Sequence, residues 1–266
     1  MNPRLTPLSP DSAPYGLEPD PTPPALPGAV TLKRDEDDVF DSLAAAIVAA
    51  GMHAVEKWGA YHIALSGGST PMPLYRRLMI DPNCRKLPWE RTHLWIVDER
   101  CVPFDHEKSN WRQIKEIIAD HADIPAENVH PMEVLLPDCD ARYEDALRKT
   151  LGFRPKGEER LDFVLLGMGD DGHTASLFPQ SPALSDGGKW VLKNDGPRVV
   201  PPARCTMTYA LLNRARQLAV LCLGKKKKPM LTRVAAKADA PAELPILGIR
   251  PDKGELRWYL DHAAIA

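Results

Sequence analysis

Apolar residues recur along this chain in two rhythms. Over 37–58 they fall at helical spacing: Phe40, Leu43, Ile47, Val48 and Val55 share one face, and Gly59 stands ready to end the helix. Elsewhere they come in short continuous runs, at 61–65, 93–97, 163–166 and 218–223, each bounded by glycine or charge. Runs of that length predict strands buried on both faces. Helices are predicted between them. One begins at Pro71 or Pro73, where a missing N–H costs little. One is capped by Ser109 and runs to about Asp120, with Trp111, Ile114 and Ile118 inward. Two more cover 141–151 and 229–238, a short strand and helix fall within 204–216, and two final strands are expected at 246–249 and 256–260. Strands alternating with helices predict an α/β fold, a parallel sheet between helical layers.

The first 28 residues follow neither rhythm. Proline recurs nine times there with few apolar partners, which predicts an extended or disordered tail. The remainder, 29–266, reads as one domain. A net charge of −2 gives no global field for nucleic acid or a membrane surface. The sequence shows no signal-peptide core and, on this reading, no apolar stretch long enough to span a bilayer. Cys84, Cys101, Cys139, Cys205 and Cys222 are odd in number and scattered, without zinc spacing. Reduced thiols in a cytoplasm are the expectation, with no metal.

Four predicted strands end in loops rich in chemistry. Ser66-Gly67-Gly68-Ser69-Thr70, between a strand and a helix, can cradle an anion on backbone N–H groups. Asp98-Glu99-Arg100 follows the second run. The third ends in Gly167-Met168-Gly169-Asp170-Asp171-Gly172-His173, two acids and a histidine on a flexible backbone behind a buried strand. The fourth ends in Gly224 and four lysines, 225–228. The string Gly167-x-Gly169-x-x-Gly172 also spells a dinucleotide fingerprint. Asp170 and Asp171 would repel a pyrophosphate, and Pro179 and Pro182 interrupt the helix such a site needs. In parallel sheets ligands bind beyond the carboxyl ends of strands. The four loops together predict acid–base chemistry on a small phosphorylated substrate.

These stretches resemble the 6-phosphogluconolactonases of the glucosamine-6-phosphate isomerase/6-phosphogluconolactonase family. The marks are the 66–71 loop, Trp95 to Arg100 with Val102-Pro103 and Ser109-Asn110, the run from Asp171 through Pro179, Arg204 to Thr208, and Gly224-x-x-Lys227. The resemblance implies a Rossmann-like fold of the ribose-5-phosphate isomerase/glucosamine-6-phosphate deaminase type. It implies hydrolysis of 6-phospho-D-glucono-1,5-lactone to 6-phospho-D-gluconate, in the pentose phosphate pathway, without metal or cofactor. His173 is then the general base. Asp171 or Asp98 orients it, and Arg100 or glycine-loop N–H groups hold the oxyanion. Ser66, Gly67, Gly68, Ser69, Thr70, Asn110, Arg204 and Lys227 bind the substrate and its phosphate. The partner is the sugar-phosphate lactone alone, and a monomer is favoured. An amino-sugar-phosphate deaminase or isomerase, and a non-catalytic sugar-phosphate sensor, are the competing readings.

Overall fold

A computed structural model describes residues 21–236 and 238–266. In chain order, β1 (Ala29–Lys33) leads to α1 (Glu36–Trp58), β2 (Tyr61–Leu65), α2 (Met72–Ile80), β3 (Thr92–Ile96) and β4 (Asp98–Arg100). Next come α3 (Asn110–Ile114), β5 (Val129–His130), α4 (Cys139–Leu151) and β6 (Phe163–Gly167). The chain closes with β7 (Val191–Asp195), β8 (Ala203–Met207), α5 (Tyr209–Leu212), β9 (Gln217–Cys222), α6 (Lys228–Ala236) and β10 (Glu255–Asp261).

Seven strands form one parallel sheet in the order β1-β10-β9-β6-β2-β3-β5. The fold is α/β, as the alternation predicts. From β2 the chain moves outward to β3, and from β6 it moves the opposite way to β9. The sheet therefore changes direction between its two central strands, the place where such folds bind ligands. A second, antiparallel sheet, β4-β8-β7, stands beyond the carboxyl end of β3.

Local chemistry accounts for the main elements. In α1, Asp35 accepts from the Asp38 N–H at 3.0 Å, three acids occupy the first turn, and Gly59 ends the helix at φ 77°. By length and mean hydropathy (1.4) α1 is long and apolar enough for a membrane span, against the expectation that no stretch is. Its apolar face, Val39, Phe40, Leu43 and Ile47, is instead buried in the protein core. β6 lies between β9 and β2, and Phe163, Val164, Leu165 and Leu166 are all buried.

Four expectations change. Residues 246–249 form a 3₁₀ turn, Pro245–Gly248, instead of a strand. Pro245 has no N–H for a ladder, and the Ile246 N–H is spent on the Gly172 carbonyl at 3.0 Å. Lys228 is helical (φ −49°, ψ −51°) and begins α6, so Pro229 sits at the second helical residue, still in the tolerant first turn. The helix from Asn110 widens into a π turn over Lys115–Ala119. The proline-rich segment lies mostly outside the described residues, but its end does not hang free. Leu26 is buried, the Trp258 indole donates to the Pro27 carbonyl at 2.7 Å, and Gly28 (φ 83°) packs where a Cβ would meet the Leu256 carbonyl. The packed body therefore reaches back to Leu26.

Candidate active site

The loop after β6 is built by its glycines. The Gly169 N–H donates to the His173 carbonyl at 2.9 Å and the Gly172 N–H to the Gly169 carbonyl at 3.0 Å, closing a tight turn. A Cβ on Gly169 would lie 2.2 Å from His173 Nδ1, so only glycine lets the imidazole rest on this backbone. The turn continues through extended and turn residues with no following helix, so the glycine string serves histidine placement rather than a pyrophosphate.

Asp171 fixes the ring. His173 Nδ1 lies 2.5 Å from Asp171 Oδ1, which also accepts the His173 backbone N–H at 3.1 Å. Burial alone would raise the Asp171 pKa. The side-chain bond to His173, the imidazole's charge and backbone N–H donors outweigh it and hold the acid down at about 2. An ionised carboxylate only accepts, so Nδ1 carries the proton and Nε2 is left as the basic nitrogen. Phe178 packs beside the ring, with centroids 4.9 Å apart.

β4 and β8 supply the opposite wall. They pair Asp98 with Thr206, Glu99 with Cys205 and Arg100 with Arg204. Strand alternation sends Asp98, Arg100 and Arg204 to the cavity and Glu99 away from it. Arg100 and Arg204 thus stand directly across the ladder, a juxtaposition of like charges that destabilises unless an anion joins it. Burial lowers the Arg204 pKa, with Asp98 opposing. Its guanidinium donates to the Pro201 and Ala203 carbonyls. Asp98 accepts the Ser176 hydroxyl at 2.5 Å.

Glu99 holds this wall in register. One carboxylate oxygen accepts the Arg100 and Asn110 N–H groups, both at 2.7 Å. The other accepts the Ser109 hydroxyl at 3.0 Å and the Trp111 N–H at 2.7 Å. Burial raises its pKa against those bonds. The carboxylate pins the start of α3 and brings Asn110 to the cavity.

The cavity encloses about 470 Å³. Of the residues anticipated from sequence, Ser66, Gly67, Asp98, Arg100, Asn110, His173 and Arg204 line it. Among the described residues, no three His, Cys, Asp or Glu side chains group to hold a metal ion.

The sequence profile described as glucosamine-6-phosphate isomerases/6-phosphogluconolactonase matches residues 34–258. The chain belongs to this family. A 6-phosphogluconolactonase of Synechocystis sp. is 40% identical over 216 residues, covering 79% of this chain and 86% of its own. A human GDH/6PGL endoplasmic bifunctional protein is 37% identical over 265 residues, covering 94% of this chain, which spans only 33% of that relative's length. The crystal structure of the Thermotoga maritima 6-phosphogluconolactonase superposes with a TM-score of 0.74 at 30% identity, covering 88% of this chain and 99% of that one.

Within the family frame, several anticipated residues stand elsewhere. Asp171 is behind His173 rather than in the cavity wall, and it, not Asp98, contacts the ring. Ser69 and Thr70 are exposed, and Gly68 does not line the cavity, so the predicted cradle narrows to Ser66 and Gly67. Lys227 does not line the cavity either. Its ammonium donates to the Met168 carbonyl and to Asp170, each at 2.8 Å, bracing the glycine loop from outside. Sequence reasoning missed Ser176, Phe178, Val199 and Val200 as lining residues, and Glu99 as the organiser. Ser176 and Phe178 sat inside the Asp171–Pro179 motif, which was the available signal. Val199 and Val200 offered none.

Proposed function

We propose that this chain hydrolyses 6-phospho-D-glucono-1,5-lactone to 6-phospho-D-gluconate. One observation carries the reading: a single cavity holds a carboxylate-fixed imidazole on one wall and the facing pair Arg100 and Arg204 on the other. The first suits water activation and the second suits a phosphate dianion. The names of the family relatives support the same chemistry.

In this mechanism His173 Nε2 takes a proton from water as the water oxygen bonds to the lactone carbonyl carbon. The tetrahedral oxyanion then re-forms its carbonyl, the ring C–O bond breaks, and the imidazolium returns the proton to the departing ring oxygen. Asp171 stabilises the imidazolium and keeps Nε2 aimed. The Gly169 N–H is committed to the His173 carbonyl. With Arg100 and Arg204 engaged by the phosphate, oxyanion stabilisation falls to the Gly67 amide, the glycine of the 66–70 loop that lines the cavity. No step calls for a metal or cofactor.

The names of relatives include endoplasmic and chloroplastic forms, so compartment does not travel with the family. Five unpaired thiols favour a reducing compartment such as the cytoplasm for this chain.

The test is a direct assay with freshly generated lactone, compared with spontaneous hydrolysis and with glucosamine 6-phosphate. Acceleration of lactone loss that disappears in His173→Ala is expected. Turnover of glucosamine 6-phosphate instead would move the chain to the deaminase branch, and turnover of neither would favour a sensor.

A further inference from the structure

Among the described residues, Asn110 is the one cavity-lining residue with a buried side-chain polar atom left unpaired. The residue is 2% exposed, and Oδ1 has no hydrogen-bond partner among the described residues. The amide orientation is fixed by its other end. Nδ2 donates to the Asp98 carbonyl at 2.8 Å and lies 3.4 Å from Asp98 Oδ1. Turning the amide over would set oxygen against two acceptors, so the unpaired atom is the acceptor.

The surroundings keep that oxygen in place beside the cavity that the residue lines. The Asn110 backbone N–H is held by Glu99 at 2.7 Å. Gly67 packs beside it, and a Cβ there would fall 1.9 Å from Oδ1. Glycine at 67 is thus required for Asn110 to stand where it does. Buried acceptors without partners are rare in folded proteins, and one that lines a cavity points to a donor carried by a ligand.

A phosphate cannot be that donor. As a dianion it offers only acceptors, and Arg100 and Arg204 face each other elsewhere on the wall to receive it. A sugar hydroxyl offers a proton.

We propose that Asn110 Oδ1 accepts a hydrogen bond from a ring hydroxyl of the substrate, making Asn110 a specificity residue for the polyol and not a phosphate ligand. The assignment rests on the lactonase reading above. It separates the cavity into a cationic wall that captures the phosphate and a neutral acceptor that reads the ring. A substrate lacking the hydroxyl leaves Oδ1 unpaired in the complex, the situation in which a site rejects analogues strongly.

The experiment measures kcat/KM for 6-phosphogluconolactone and its 2-, 3- and 4-deoxy analogues, in the wild type and in Asn110→Ala. The wild type should lose roughly 5- to 150-fold on one of the three analogues. In Asn110→Ala that analogue and the parent should be hydrolysed at similar rates, and competitive inhibition by inorganic phosphate should be unchanged. A purely structural role, through the Asp98 contact, would slow all four lactones equally and would overturn the assignment. So would a wild type that treats all four within twofold. The wild-type series decides alone if Asn110→Ala does not fold, with Asn110→Ser as the second variant. A wild type inert on the parent lactone would overturn the lactonase reading itself, a result distinguishable from loss of selectivity among lactones.

Discussion

Two sets of histidines belong to the same sheet, one carried on its strands and one just past a strand's carboxyl end, and their surroundings give them opposite chemistry. His173 follows the carboxyl end of β6. It is 28% exposed and shares a proton with a carboxylate 31% exposed. His62, His93 and His130 belong to β2, β3 and β5 and stack with Trp95. The His62 and His93 ring centroids lie 4.4 Å apart, and those of Trp95 and His130 lie 3.7 Å apart. In the stack the partners are other rings: Trp95 Nε1 donates to His62 Nδ1 at 3.3 Å, and His93 Nδ1 meets His130 Nε2 at 3.1 Å. The first contact needs a lone pair on His62 Nδ1 and so a neutral His62, and the second needs a lone pair on one of its two rings. Burial and then neighbouring rings and Arg154 push these histidines down: His62 well below the usual range, His93 to about 4 and His130 to about 3. A histidine becomes a base when an acid stands behind it and space stands in front. Without either, it is packing.

The sharpest break in this comparison is removal of the base. His173→Ala should lower kcat by roughly 10²–10⁴-fold, and Asp171→Asn, which removes the acceptor fixing the tautomer, by at least about tenfold. Steady-state kinetics on folded variants check this. A near-normal kcat in His173→Ala would return His173 to the packing class.

The next effect comes from the facing arginines. Arg204→Met should lower kcat/KM by roughly 10- to 150-fold through loss of charge-assisted bonds to phosphate. The same change should leave Tm equal or higher, because it removes a desolvated cation standing opposite Arg100. Matched kinetics and thermal melts test both halves. A large fall in Tm would make Arg204 a structural residue.

Lys227 should matter less, and in kcat rather than KM. Its ammonium braces the glycine loop through Met168 and Asp170. Lys227→Ala should therefore loosen the His173 support and cost roughly three- to tenfold in kcat, the worth of about one such bond. A rise in KM with kcat intact would restore the phosphate role expected from the sequence.

How far the sequence could be read divides along the same line. The buried strands and the helices with one apolar face were legible because their periodicity records burial. His173, Asp98 and Arg100 were legible because chemistry-bearing residues clustered at strand ends, whereas Arg204, near the start of β8, was marked only by the family resemblance. Glu99 was not: one carboxylate of three consecutive charges shows no sign of turning inward to hold four donors. The contact of Lys227 was not legible because Asp170, its partner, lies 57 positions earlier. The 245–248 turn misled because a short apolar run looks alike as strand or turn until its N–H partners are known.

The smallest effect on catalysis belongs to the stack, where the largest dependence on pH is expected. A histidine whose native pKa lies below its unfolded value of about 6.5 favours the native state only while neutral. That contribution is complete above pH 6.5 and is lost as pH falls from there towards the native values of about 4 for His93 and about 3 for His130. Asp171, held at about 2, adds its own loss only below the ordinary carboxylate range. The acid limb between pH 6.5 and 4 therefore belongs mainly to the stack. The charged groups acting on it, Arg154, Asp162 and Glu127, modulate His93 after burial. His93→Phe and His130→Phe preserve a flat ring and remove one titration each. Both should keep kcat/KM at neutral pH within about twofold, since they are remote from the cavity. Both should show a smaller drop in Tm between pH 7.5 and 5 than the wild type. Unaltered acid sensitivity in both variants would place the titrating groups elsewhere. A collapse of activity would mean that the stack and the base are coupled through the sheet rather than independent.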